Sequence, residues 1–167
     1  MLDFINSIGL EYNFETIETN TFLPGLNFRE GVLIIDRDKL LYPGDILHEA
    51  GHLACMPPDI RKTMTGGLEN NNINQGGELM AIAWSYAACL NLGIDATVVF
   101  HEYGYKDAGS SIVANFDQGN YFGVPMLEWC GMCYTAATAR RLNVQPFPKM
   151  ISWTCEKNMF AEAVESL

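Results

Sequence analysis

The chain has 167 residues, 49% of them hydrophobic and 18% charged, the balance of one compact globular domain rather than a disordered segment. Ten Lys plus Arg stand against 20 Asp plus Glu, a net charge of -10, which repels phosphate backbones and anionic lipid and argues against nucleic acid or a membrane as partner. The basic pairs Arg61-Lys62 and Arg140-Arg141 are too short to reverse that balance.

In chain order, residues 2–9 predict a short helix ending near Gly9, and Tyr12 to Ile17 alternates like a strand. No basic stretch followed by a continuous apolar run opens the chain, so no export signal is expected. Leu23-Pro24-Gly25 reads as a turn. Val32-Leu33-Ile34-Ile35 is a β-branched run suited to a buried strand, closed by Asp36-Arg37-Asp38. A helix over Ile46–Cys55 follows, with Asp45 as cap or first-turn residue and Pro57-Pro58 as its stop. From Asp59 to Gly77 the density of Gly and Asn predicts a long irregular loop. A second helix, Glu78 to about Leu92, is apolar nearly all round and ends at Gly93, which marks it as central and buried. Its apolar run from Leu79 to Leu90 is broken by Ser85 and is shorter than the roughly 20 residues of a membrane span, so a soluble, cytoplasmic protein is expected.

Further on, Ser110 to Asp117 suits a short helix, and Pro125 to about Leu142 a longer one weakened by Gly131. Val144 to Pro148 is expected to be extended, with a short piece around Trp153. Trp84, Trp129 and Trp153 are expected in the core. Five cysteines, Cys55, Cys89, Cys130, Cys133 and Cys155, read chiefly as buried thiols. Cys130-Gly131-Met132-Cys133 has the spacing of half a zinc knuckle or of a redox pair, but no second such pair accompanies it. The fold expected is α+β and mostly helical, a single domain over 1–167 with a small N-terminal β element and a helical C-terminal extension over 93–167.

Chemistry concentrates at His48-Glu49-Ala50-Gly51-His52. On a helix, positions i and i+4 share a face, about 5–6 Å apart at Cβ, so two imidazoles can grip one Zn2+. Glu49 points elsewhere around the helix and can reach a water without ligating the metal, which is the place of a general base. Two of the three histidines in the chain are spent on this motif. A third protein ligand is expected from Glu69, Glu78, His101 or Glu102. Glu78 is preferred, because a charge opening a buried helix is costly unless it coordinates or pairs. Its face continues through Ala81, Ile82, Ser85 and Cys89, small enough for a close approach by the motif helix. The alternatives are a first-turn helix-dipole role for Glu78, with Glu69 taking over as ligand. His101, Tyr103 and Tyr105 are candidates to steady a developing oxyanion, against the plainer reading of His101 and Glu102 as a solvated pair.

The stretch Gly31 to Ala54, with its apolar strand, Ile35-Asp36 and Ile46-Leu47-His48-Glu49-Ala50-Gly51-His52-Leu53, resembles the ImmA/IrrE-type zincin peptidases. So does Glu78-Leu79-Met80-Ala81-Ile82-Ala83, where that family places its ligand Glu followed by alanines, here 26 residues beyond His52. The resemblance covers about residues 28–92. It implies a minimal zincin-like domain with a buried active-site helix pair and its metal site within 43–92. It also implies a selective zinc metallopeptidase acting on a protein or peptide. Residues 93–167 carry no motif of that family, and no helix-turn-helix region accompanies the domain. The rival expectation is a noncatalytic zinc-binding interaction module.

Overall fold

The computed structural model describes residues 1–66 and 72–157. It shows a mostly helical α+β fold around one three-stranded sheet. Helix α1 (Leu2–Ser7) leads into β1 (Tyr12–Phe14), β2 (Leu26–Arg29) and β3 (Val32–Ile35). The sheet order is β1-β3-β2, with β1 parallel and β2 antiparallel to the central strand. The β-branched run therefore takes the middle, where Leu33, Ile34 and Ile35 are covered on both faces. The turn from β2 to β3 has Glu30 at φ 49° and Gly31 at φ 80°, the two-residue geometry that suits hairpin twist. A Cβ on Gly31 would stand 2.6 Å from the Arg61 carbonyl oxygen, so glycine is required there twice over.

Two expectations about this region need correction. The first strand stops at Phe14 rather than Ile17; the Ile17 amide instead donates to the Asp36 carboxylate at 2.9 Å. Strand β2 was not anticipated at all, although Leu26 and Phe28 are buried and alternate with Asn27 and Arg29.

Helix α2 (Asp45–Cys55) holds the His-Glu-x-x-His motif and packs against α4 (Asn72–Leu92). Ile46, Leu47, Ala50, Leu53 and Ala54 of α2 and Ala81, Ala83, Trp84, Ala87 and Ala88 of α4 are buried. The helices meet closely at Gly51, where an added Cβ would lie 3.1 Å from Trp84 Cε3 and 3.2 Å from the Ala81 carbonyl oxygen. The small-residue face of α4 serves as expected. Asp45 occupies the first turn of α2 without capping it.

The long loop is shorter than composition suggested. Helix α3 (Pro58–Arg61) interrupts it, and α4 is already helical at Asn72, so Gly76 and Gly77 lie inside a helix. Packing supplies the reason: Gly77 leaves room for the Met56 methyl, which an added Cβ would approach to 3.1 Å. Glu69 lies outside the described residues.

Beyond α4 come two short 3-10 turns, Ala96–Val98 and Tyr105–Asp107, then α5 (Gly109–Asp117), α6 (Val124–Trp129) and α7 (Ala136–Leu142). The helix expected over Pro125–Leu142 is thus two helices. Gly131 at φ 75° breaks it, and Thr135 caps α7 while its amide donates to Glu128 at 2.9 Å. Trp129, expected in the core, is 63% exposed because α6 ends there and turns that residue outward. Trp84 and Trp153 do pack together, ring centroids 5.7 Å apart and edge to face, with Phe4 against both. All five cysteines are buried and free. No helix among the described residues is long and apolar enough to cross a membrane.

Candidate metal centre

His48 and His52 project from α2 one turn apart, and α4 brings Glu78 to them. The Nε2 atoms of the two imidazoles are 3.1 Å apart, and Glu78 Oε2 lies 3.5 Å from the first and 3.2 Å from the second. Ligands about 2.1 Å from one ion in tetrahedral array stand roughly 3.4 Å from each other, the spacing of this triangle. The donor chemistry agrees, with two imidazole nitrogens and one carboxylate oxygen. These three residues can hold a metal ion. Both histidines are buried while the Glu78 side chain is 42% exposed, so the triangle is walled by protein on the α2 side and open toward Glu78.

Burial raises the Glu78 carboxyl, but its hydrogen bonds to His48 and His52 and their charge prevail and hold it far below the usual carboxylate range. Glu49, between the two histidines in sequence, behaves in the opposite way. It keeps some solvent contact, yet burial pushes it up to about 7; the charge of His52 opposes that rise, and the charges of Glu78 and then Asp45 add smaller rises. The carboxyl within the triangle and the one beside its histidines in sequence are therefore shifted in opposite directions.

The other residues expected here divide. His101 is tied into the surroundings of α2, its Nε2 3.0 Å from Asp45 Oδ1 and its ring stacked on Tyr42 at 4.0 Å. Its side chain is 12% exposed and paired with the buried Asp45, so the solvated His101–Glu102 pair is not what the structure shows. Tyr103 is 72% exposed, stacks on the outer side of Tyr42 and hydrogen-bonds Glu102, which raises its phenol. The structure brings it to neither histidine of the motif. Tyr105 is the aromatic residue that arrives. Its ring meets His48 edge to face at 5.3 Å, and its buried hydroxyl has no hydrogen-bond partner among the described residues. Burial raises that phenol strongly, and the charges of Glu78, Asp45 and Glu49 add to it. The backbone is left-handed at Tyr105 (φ 56°) and Asp107 (φ 65°), a conformation side-chain-bearing residues enter only under constraint.

Sequence reasoning missed Asp45 as anything but a cap or first-turn residue. The signal was available, because Asp45 lies three residues before His48 and hence on the same side of α2. Within the centre, His48 Nδ1, His52 Nδ1 and His101 Nδ1 are also buried without partners among the described residues. Unsatisfied polar atoms concentrated at one place are what a built functional site shows and a plain core does not. No protein family, curated protein or solved structure matches this chain.

Proposed function

We propose that the chain is a zinc-dependent hydrolase that cleaves a peptide bond in a selected protein or peptide. His48, His52 and Glu78 hold the metal and Glu49 is the general base. The observation that carries the reading is Glu49. It stands beside His48 on α2 without adding a donor to the triangle, and burial raises its carboxyl above the ordinary carboxylate range in the metal-free protein, the direction that suits a general base. Zn2+ suits two imidazoles and a carboxylate, and when bound it supplies a Lewis acid for the scissile carbonyl and a more acidic water. Glu49 accepts the proton of the attacking water and delivers it to the leaving amine. Tyr105, with its hydroxyl unused and beside His48, donates a hydrogen bond to the negative charge that develops on the carbonyl oxygen. His101, held by Asp45 and Tyr42, positions the first turn of α2.

The resemblance of residues 28–92 to ImmA/IrrE-type peptidases supports this reading. The net charge of -10 argues against nucleic acid as the partner. Five free cysteines fit a reducing compartment such as the cytoplasm.

Glu49→Gln tests the proposal at nearly constant side-chain volume. The variant should keep about one zinc per chain and its melting temperature, and lose about 10²–10⁴ in rate on proteins that co-purify with it. Undiminished cleavage would refute the role of Glu49. If wild type and variant bind the same partner and neither cuts it, the chain is a noncatalytic zinc-binding module.

A further inference from the structure

We infer that the pocket between the two 3-10 turns and the start of α5 is a subsite for a cationic side chain, Lys or Arg, of the peptide substrate. That its occupant belongs to a substrate rests on the hydrolase reading above; that it is a cation rests on the pocket. The walls are Thr97, Phe100, His101, Glu102, Asp107 and Ser110, around a volume of about 460 Å³, within the ordinary range of small-ligand pockets. Phe100 is buried, whereas Glu102 and Asp107 are exposed, so apolar surface lies deep and two carboxylates lie toward solvent. No basic side chain forms a salt bridge with either carboxylate among the described residues.

A Lys or Arg side chain matches both parts of such a pocket. Its methylene stem covers the aromatic ring while its charged head stays at the carboxylates. A guanidinium adds attraction to the face of the ring and can reach a carboxylate through two hydrogen bonds. A hydrated divalent cation is served less well, because it takes oxygen ligands and Phe100 offers none. An acidic or phosphorylated side chain is repelled.

The fold fixes the walls against each other and against the metal centre. Gly109, at the start of α5, is pressed onto the opposite wall, where an added Cβ would run into the Phe100 carbonyl and stand 2.9 Å from the His101 carbonyl oxygen. From the same wall, the Phe100 ring packs on Tyr105 at 5.2 Å, and Tyr105 in turn meets His48 at 5.3 Å. His101 carries the second link, its Nε2 3.0 Å from Asp45 in the first turn of α2. The pocket thus lies two ring contacts from a metal-binding histidine. An extended chain advances about 3.3 Å per residue, so a peptide with its scissile carbonyl at the metal brings a side chain a few residues away to this pocket. The net charge of -10 draws a basic peptide to the protein, and the pocket gives that attraction a place.

Nuclear magnetic resonance on the zinc-loaded full chain tests the subsite without turnover. The probes are N-acetyl-arginine methylamide, N-acetyl-lysine methylamide and N-acetyl-citrulline methylamide, the last an uncharged isostere of the first. The arginine and lysine probes should shift the amides of Thr97, Glu102, Asp107 and Ser110 saturably, and citrulline should bind about tenfold more weakly, the loss expected with a charge-assisted hydrogen bond. Equal binding of arginine and citrulline, or shifts spread evenly over the acidic surface, would overturn the inference in the wild type alone. Stronger saturation of the same amides by calcium chloride would overturn it in favour of a metal site. Glu102→Gln/Asp107→Asn should reduce the arginine probe to the citrulline level with zinc content unchanged, since Asn tolerates the left-handed backbone at position 107. Digestion of a peptide library reports on hydrolysis separately. Cuts without an enriched basic residue nearby, together with no probe binding, would refute the subsite and leave the hydrolase standing. Probe binding at these amides without any cut would uphold the cation pocket and refute the hydrolase.

Discussion

The first turn of α2 contains a buried carboxylate, Asp45, met by His101 at 3.0 Å, and beyond it the Nδ1 atoms of His48 and His52 and the Tyr105 hydroxyl lack partners among the described residues. The last turn is tied off. Arg61 donates from Nε to the Leu53 carbonyl at 2.8 Å and from a terminal nitrogen to Met56 at 3.1 Å and Cys155 at 2.8 Å, while the Cys155 amide serves Ala54. One helix thus has a frustrated end and a satisfied end. Carbonyls at a helix C-terminus cost free energy when buried and unpaired, and here they are paired. That anchorage, with the close seat of Gly51 on α4, holds in place a set of polar groups that would otherwise relax.

If the frustrated end exists for a metal, removing a ligand should have the largest effect. His52→Ala should abolish zinc binding measured by elemental analysis. It should also erase the metal-dependent rise in melting temperature, worth about 4 kcal/mol at free zinc a thousand times the dissociation constant. Full zinc occupancy in His48→Ala/His52→Ala would break the comparison outright.

At the satisfied end, Arg61→Ala should cost about 2–3 kcal/mol by denaturant unfolding, because it strips three carbonyl acceptors at once. Zinc stoichiometry should remain unchanged. A loss under about 0.5 kcal/mol would show that solvent replaces those bonds and that the anchorage lies elsewhere.

Next in size is a pH effect at the frustrated end of the metal-free protein. Glu49 is raised from 4.5 to about 7, so the folded state binds that proton more tightly than the unfolded chain. Its contribution is therefore most favourable below pH 4.5 and declines as pH rises to about 7, by about 1–3 kcal/mol given its partial solvent contact. Glu49→Gln should flatten that slope in chelator-treated protein. Glu78 acts outside this window, since its lowered carboxyl contributes above its unfolded value and loses that contribution only as pH falls below 4.5.

The smallest stability change belongs to Tyr105→Phe. Deleting a buried hydroxyl that has no partner should leave the melting temperature unchanged or raise stability by up to about 1 kcal/mol. Cleavage should nonetheless fall by about 10²-fold, as when an oxyanion donor is removed. Destabilisation of more than about 1 kcal/mol would instead place Tyr105 among the structural residues.

The part of the site that rests on helical spacing was legible in the sequence. His48, Glu49 and His52 follow from i and i+4 geometry, and Glu78 from the cost of a charge on an apolar helix. What was not legible depends on long-range packing. Gly76 and Gly77 argue locally against a helix, and the Met56 methyl that Gly77 makes room for comes from elsewhere in the chain. Strand β2 is too short to stand out, and its pairing with β3 depends on the Glu30-Gly31 turn. Tyr103 and Tyr105 are equivalent by composition. Left-handed backbone at Tyr105 and the stacking of Tyr42 with His101 decide which one faces His48.

The Trp84–Trp153 contact makes the molecule its own optical probe. Trp84 is fully buried, with its indole N–H bonded to the Trp153 carbonyl, whereas Trp129 stands in solvent. Blue-edge emission and the near-ultraviolet dichroism of the crossed indoles therefore report whether the C-terminal segment is seated on α2 and α4. Emission from Trp129 supplies a solvent-exposed reference within the same spectrum.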